Sequence, residues 1–179
     1  MQYRRARTKG GTYFFTVVTH NRRKILCKPE NIDLLRSAFQ SVMEKHPYHI
    51  DAIVLLPDHL HCIWTLPPDD NDFSTRWRLI KSAFSRKCDS RYKGKISASR
   101  QIKKETSVWQ RRFWEHAIRD ENDFGRHVEY IHYNPVKHNL VNAPRQWAYS
   151  SFHKYVGNGL CDLDWGANNM TFDKDVGRE

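Results

Sequence analysis

Residues 49–68 leave this chain few ways to fold. Two apolar runs of strand length are separated only by Pro57-Asp58 and closed by Pro67-Pro68. Proline offers no ladder donor, and so short a break lets two strands pair only by doubling back. The segment therefore predicts an antiparallel hairpin over 49–56 and 59–66. Around it the hydrophobic period changes from element to element. Residues 12–19, after Gly10-Gly11, are β-branched and aromatic and read as a strand. Residues 29–46 carry Ile32, Leu35, Phe39, Val42 and Met43 at helical spacing between Pro29 and Pro47. Ser74 is expected to cap a second helix with Trp77, Ile80 and Phe84 turned inward. Residues 89–107 are polar and aperiodic and read as a mobile loop that orders on its ligand. Residues 112–118 form a fourth strand, and a last helix starts at Asp120/Asn122 and ends at Asn134, stopped by Pro135. The order βαββαβα predicts an α+β fold of the ferredoxin-like, split βαβ type. Its four-stranded antiparallel sheet would have helices on one face and the other face open to a ligand. With no linker or repeat in view, one domain is expected over 1–149, then an acidic C-terminal tail over 150–179.

The charge is unevenly spread. The chain has 30 Lys and Arg against 20 Asp and Glu, yet residues 76–112 alone hold thirteen basic side chains against Asp89 and Glu105. A smaller cluster, Arg4, Arg5, Arg7 and Lys9, opens the chain. One basic block in an otherwise balanced chain is the footprint of a polyanion partner, the plainer alternative being a solvated face. Trp77, Phe84, Tyr92, Trp109, Phe113 and Trp114 lie in or beside the block. Aromatic faces next to cations suit unstacked bases, as single-strand binders require, although some of these rings must be core. The candidate DNA contacts are Arg76, Lys81, Arg86, Lys87, Arg111 and Arg112, with the Arg4–Lys9 arm beside them. No apolar run approaches the ~20 residues of a membrane span, and the basic N-terminus lacks the apolar stretch of a secretory signal. Four cysteines without a CxxC pair suggest neither a disulfide framework nor a zinc ribbon. A reduced, cytoplasmic protein is expected.

The chemistry concentrates in two segments. Side chains alternate along a strand, so His59, His61, Ile63 and Thr65 share one face while Leu60, Cys62 and Trp64 take the other. The two imidazoles stand about 7 Å apart at their Cα atoms and can converge on one divalent ion. His-x-His alone also fits a structural role, and a third alternating histidine is excluded because position 63 is Ile. Two nitrogens leave an ion in need of an oxygen donor, open positions, or both, and imidazole with an amide or carboxylate oxygen tolerates Mg2+, Mn2+ and several transition ions. The last helix offers that donor and a nucleophile. On a wheel of about 100° per residue, Phe124, Val128 and Ile131 form the buried stripe. Tyr130 and Asn134 lie one turn apart on its flank, and Tyr133 faces the opposite, solvent side. Tyr130 is thus the candidate nucleophile and Asn134 the candidate oxygen ligand, with His116 a candidate helper. The plainer role for Tyr130 is packing. A phenol with a free pKa of about 10 needs deprotonation or assistance to attack, and no general base is evident.

Together these residues resemble the REP-associated tyrosine transposases, a branch of the bacterial HUH single-strand nucleases. The likeness runs through Tyr3-Arg4-Arg5, Gly10-Gly-Thr-Tyr-Phe-Phe-Thr16, Leu56-Pro-Asp-His-Leu-His-Cys-Ile-Trp-Thr-Leu-Pro67, Trp109-Gln-Arg-Arg-Phe-Trp-Glu-His-Ala-Ile-Arg119 and Tyr130-Ile-His-Tyr-Asn-Pro-Val-Lys137. The resemblance implies that His59 and His61 bind a divalent ion, Mg2+ or Mn2+. It implies that Tyr130 attacks a DNA phosphate, giving a 5′-phosphotyrosine and a free 3′-OH, reversibly and without ATP. It further implies action on repetitive extragenic palindromes, hairpin DNA with a GTAG-type single-stranded guide, by a monomer in the bacterial nucleoid. Related insertion-sequence enzymes tend to carry Gln where this chain has Asn134. The acidic tail is expected to lie over the basic cleft and restrain activity. Two further readings stand beside this one. A palindrome-binding protein that no longer cuts keeps the basic block but needs none of Tyr130, His59 and His61. A metal-dependent nucleotide hydrolase forms no covalent adduct.

Overall fold

Pro57 and Asp58 turn the chain back as the sequence predicts. Strand β2 (His49–Leu55) pairs antiparallel with β3 (His59–Thr65), Leu55 opposite Leu60. The other edge of β3 takes β1 (Thr12–Val18), which in turn pairs with β4 (Trp114–Ala117). The computed structural model describes residues 8–95, 98–102, 107–167, 170–172 and 176–177. Its sheet has the order β2-β3-β1-β4, antiparallel throughout, with β3 inserted between β1 and β2. This is the split βαβ arrangement and an α+β fold. β4 is shorter than the expected 112–118.

Helix α1 (Pro29–Lys45) starts on Pro29, whose fixed φ and missing donor suit a first turn. Helix α2 (Phe73–Lys87) is capped by Asp72, which accepts the Thr75 N–H at 3.0 Å, and not by Ser74. The earlier cap brings Phe73 inside the helix, where its ring is fully buried. In the stretch expected to be a loop, a single turn at Ser90–Tyr92 and the short helix α3 (Ala98–Ile102) form, while residues 96–97 and 103–106 lie outside the described residues. Helix α4 (Glu121–Lys137) is capped by Asp120 and runs on through Pro135 instead of stopping before it. Only one ladder donor is lost that near the end, and the His138 N–H closes the last turn on the Asn134 carbonyl at 3.0 Å. Helix α5 (Phe152–Gly157) follows.

Strand alternation divides the sheet into two apolar faces. Tyr13, Phe15, Val17, Leu60, Cys62 and Trp64 meet Leu35, Phe39, Trp77, Ile80 and Phe84 of α1 and α2. Trp64 and Trp77 stack at 4.2 Å between ring centres. Each such side chain contributes roughly 1.5–3 kcal/mol by leaving water. This core absorbs Trp77, Phe84 and Trp109, so these rings of the basic block are withdrawn from any base-stacking role. The other face carries Phe14, Ala52, Val54 and Ile63, and it packs Val128, Tyr130 and Ile131 of α4. Helices on one face is therefore right for α1 and α2, whereas α4 covers the face expected to stay open. That face is too apolar to be left to water. Residues beyond 149 pair along the outer edge of β2. The Ser151 N–H reaches the Ile53 carbonyl at 2.8 Å, and Ser150 bridges to Val54. Among the described residues no helix is long and apolar enough to cross a membrane.

Candidate active site

Both histidines of β3 are buried on the α4 side of the sheet. His59 donates from Nδ1 to Asp58 Oδ1 at 2.7 Å, and Arg22 reaches the other Asp58 oxygen at 3.3 Å. Burial works against the Asp58 carboxylate, yet the bonds from His59 and Arg22 outweigh it and hold that carboxyl below its ordinary range. His61 Nδ1 lies 2.9 Å from the hydroxyl of Thr16, its partner across the β1–β3 ladder. The two imidazole rings are 4.9 Å apart and nearly perpendicular. With each Nδ1 occupied, Nε2 is the atom an ion would meet on either ring. His59 Nε2 is buried with no hydrogen-bond partner among the described residues. With Nδ1 held by Asp58, Nε2 is the nitrogen left to bind, and the residues fit a divalent cation.

Helix α4 lays a second row of polar groups along this strand. The Tyr130 ring lies 5.3 Å from the His61 ring, and Phe14 packs against both. Lys137, two turns further on, donates from Nζ to the Tyr130 hydroxyl at 2.8 Å. An ammonium donor at that oxygen favours negative charge on it. Asn134 is fully buried midway between Tyr130 and His138, and the His138 ring lies 5.0 Å from that of His59. Tyr130 itself is only 2% exposed, because the C-terminal segment lies on it. Phe172 contacts its ring edge-on at 5.6 Å. Gly177, at φ +69°, approaches so closely that the Tyr130 ring leaves no room for a Cβ there. The same segment corrects the expectation for Tyr133. Its ring packs on Phe172 and Trp165 and its hydroxyl accepts the Met170 N–H at 3.1 Å, so the predicted solvent side of α4 is covered. A cavity of about 700 Å3 remains between α4 and this segment, lined by Tyr130, Tyr133, Lys137, Asn142 and Phe172.

A second polar group lies on the same face. Ligand atoms of His116, Asp123 and His127 come within 4.8 Å of one another, close enough in geometry to hold an ion. Asp123, however, already takes His116 Nε2 at 2.8 Å and Arg119 Nε at 2.9 Å, with Arg126 at 3.8 Å. Burial opposes its charge, but the hydrogen bonds from Arg119 and His116 hold its carboxyl well below the ordinary range. Two guanidinium groups and the α4 N-terminus lie beside the carboxylate, while Asp123 Oδ1 and His127 Nε2 are buried without a hydrogen-bond partner among the described residues. His116 is thus tied to the start of α4.

The expected DNA contacts divide. Arg76 is corrected: it is 2% exposed, paired with Asp70 at 2.6 Å, and bonded to the carbonyls of His46, Pro47 and Asp72. Its guanidinium ties α2 to the end of α1 and cannot also face a phosphate. Lys81 bridges the carbonyls of Gln110 and Arg111. Lys9, Arg86, Lys87, Arg111 and Arg112 are exposed, and Arg4, Arg5 and Arg7 lie outside the described residues. Arg76→Ala is expected to cost on the order of 3 kcal/mol of stability, read as a lower Tm. Arg86→Ala should leave the Tm unchanged and weaken single-stranded DNA binding, with a log–log salt slope shallower by about 0.7. Equal Tm values for the two variants would contradict this division.

Asp58, Thr16, Lys137 and His138 escaped the sequence reading. Lys137 and His138 stand seven and eight positions after Tyr130, a helical repeat that could have flagged them had the helix not been ended at Pro135. Thr16 depends on the β1–β3 register, which no local pattern reveals.

Residues 8–134 match the family model described as transposase IS200 like. The REP-associated tyrosine transposase of Escherichia coli (strain K12) is 44% identical over 171 residues, 96% of this chain and 94% of that one. A relative from Haemophilus influenzae is 42% identical over 166 residues, 93% of each chain. The solved structure of a REP-associated tyrosine transposase bound to a REP hairpin superposes with a TM-score of 0.81 at 42% identity, over 100% of this chain and 98% of that one.

Proposed function

The chain belongs to the IS200-like transposases, as a REP-associated tyrosine transposase and hence a DNA-cleaving enzyme, and from that premise we propose that it cuts and rejoins single-stranded DNA beside a hairpin through Tyr130. The observation that carries this reading is the meeting of Tyr130 with His61, 5.3 Å apart between ring centres, on a face they share with His59. The Tyr130 oxygen bonds to the phosphorus of one DNA linkage and the P–O3′ bond breaks. The phenolic proton departs, the 3′ oxygen takes up a proton, and the 5′-phosphate stays on the tyrosine. Attack by a 3′-OH on that linkage runs the same exchange backwards and transfers the strand without ATP.

His59 and His61, with Asn134 as the oxygen donor, would hold the divalent ion, Mg2+ or Mn2+. When bound, such an ion steadies charge on the phosphoryl oxygens. The residues around it act through position. Asp58 and Thr16 orient the imidazoles, and Lys137 holds the phenolic oxygen while favouring its ionised form. Lys137 donates in this contact, so it stabilises charge and is not the base. Nucleophile and histidines come from one chain, which supports a monomer that uses its own tyrosine. The partner is hairpin DNA with a single-stranded flank, of the REP kind that the solved relative binds. The exposed cations Lys9, Arg86, Lys87, Arg111 and Arg112 would supply phosphate contacts, which position DNA without reading its sequence. The test is incubation of such a hairpin oligonucleotide with Mn2+. A protein–DNA species that survives denaturation supports the reading. Binding without cutting would favour the non-catalytic palindrome binder, and release of small nucleotides without an adduct would favour a hydrolase.

The tail restrains this site by covering the nucleophile with the apolar contacts of Phe172, Val176 and Gly177. Removing residues 157–179 is expected to raise the yield of covalent adduct several-fold at equal protein concentration. An unchanged yield would contradict the restraint.

A further inference from the structure

The proposed function brings a single strand of DNA to Tyr130, and the bases of that strand need a surface beside the site. We infer that Trp114, on the edge strand β4, is the platform on which an unpaired base of the flank stacks. The inference rests on the proposed function and adds to it the residue that positions the strand next to the reacting linkage.

The other aromatic side chains in or beside the basic block are committed elsewhere. Trp77, Phe84 and Trp109 are buried in the core under α1 and α2. Phe113 packs on the same core, edge-on to Phe15 at 5.9 Å. Tyr92 donates its hydroxyl to Glu30 at 2.6 Å, with the Arg91 guanidinium over its ring at 4.8 Å. Trp114 differs from all of these. It is half-buried, and it lies on the opposite face of the sheet, the face that carries the two histidines.

Its position there follows from the strand register. Thr16 pairs with His61 on one side and with Trp114 on the other. His61, Thr16 and Trp114 thus form one row across β3, β1 and β4, with their side chains on a common face. Neighbouring strands are about 4.8 Å apart, so Trp114 stands roughly 10 Å from His61 at the backbone. A DNA strand covers such a span in roughly two or three nucleotides. β4 ends the sheet, so the indole sits where an arriving strand would cross onto the row that leads to Tyr130.

The ring is held in one orientation. Phe14 meets it edge-on at 5.7 Å, and the His116 ring lies almost parallel to it, 6.0 Å away and inclined by 10°. His116 is itself fixed by Asp123 at 2.8 Å. A ring already set in place loses little freedom when a base settles on it. Arg111 and Arg112, both exposed, come just before β4. An aromatic face with cations beside it supplies both parts of a single-strand site, since stacking holds the base while the cations follow the phosphates. Stacking is tolerant of sequence, so Trp114 is expected to accept any base and to leave the choice of site to other contacts.

The test compares the wild-type chain with Trp114→Phe, Trp114→Leu and Trp114→Ala, with thermal melts to establish that each is folded. Trp114→Leu keeps apolar bulk against Phe14 and carries the comparison if Trp114→Ala melts early. Binding is measured in chelator, without metal, for a hairpin with a single-stranded flank and for the same hairpin with no flank. Trp114→Leu and Trp114→Ala are expected to weaken binding of the flanked hairpin by at least about fivefold and to leave the other unchanged. Trp114→Phe should stay within about twofold of the wild type on both. Removing the flank bases one at a time should reveal an abasic position that weakens the wild type by the same factor and does not affect Trp114→Leu. A Leu variant that binds the flanked hairpin like the wild type, or loses equally on both DNAs, refutes the platform. So does a wild type that binds both DNAs equally, or an abasic scan that weakens both proteins alike at every position. Adduct formation with Mn2+, measured in parallel, keeps the two claims apart. An adduct on Tyr130 without a flank-specific loss in Trp114→Leu overturns the platform alone. A flank-specific loss without any adduct overturns the proposed cleavage and leaves the platform standing.

Discussion

Tyr130→Phe is expected to abolish the covalent protein–DNA species and to lower cleavage of a hairpin substrate by at least about a thousandfold, since removal of a nucleophile leaves only binding and orientation behind. The substitution deletes one oxygen and the bond it accepts from Lys137, and leaves the ring against His61, Phe14 and Phe172. Packing is thus conserved, and the Tm should move by no more than about 1 kcal/mol in equivalent stability. DNA affinity should stay within a few-fold, because phosphate contacts from exposed cations dominate it. Tyr133→Phe is the control. It removes the bond from the Met170 N–H and loosens the tail, so it should cut at least as well as the wild type. A Tyr133→Phe protein that is dead, beside a Tyr130→Phe protein that cuts, would reverse the assignment.

The second large effect is expected from His61→Ala. Its imidazole is fully buried between Thr16, His59 and Tyr130. Its loss takes one of the proposed ligands, so Mn2+ binding should weaken by well over about tenfold and cleavage should fall by roughly a thousandfold or more. Excess Mn2+ should restore part of the activity of a milder His61→Gln variant but none of that of Tyr130→Phe, a contrast that separates a ligand from a nucleophile. DNA binding without metal should be unchanged in all three. Wild-type cleavage by His61→Ala would remove the ion from the mechanism.

The legible parts of this molecule are those encoded by short-range pattern. Pro57-Asp58 between two apolar runs specified the β2–β3 hairpin. Alternation placed His59 and His61 on one face, and four-residue spacing paired Tyr130 with Asn134. Other features depend on contacts between distant segments. Arg76 reads as one cation among thirteen in the basic block, and only the approach of Asp70 and the α1 end makes it a buried tie. Tyr133 lies opposite the apolar stripe of α4, and the return of Trp165, Met170 and Phe172 buries it. The α4 helix was expected to end at Asn134 because proline usually stops a helix, yet a proline in the last turn forfeits a single bond. Lys137 and His138, beyond that proline, are the two residues that bring the far end of the helix to the site. The sequence alternation also made Phe14, Ala52, Val54 and Ile63 legible as one face, but not the helix that would cover it.

The most direct measurement is to identify the residue that carries the DNA. The protein is incubated with a hairpin bearing a single-stranded flank and Mn2+, the denatured adduct is digested with protease and nuclease, and the nucleotide-bearing peptide is sequenced by mass spectrometry. A 5′-linked nucleotide on Tyr130 is the predicted result. The same mass on Tyr133 or any other residue, or cleaved DNA with no modified peptide, would contradict the account.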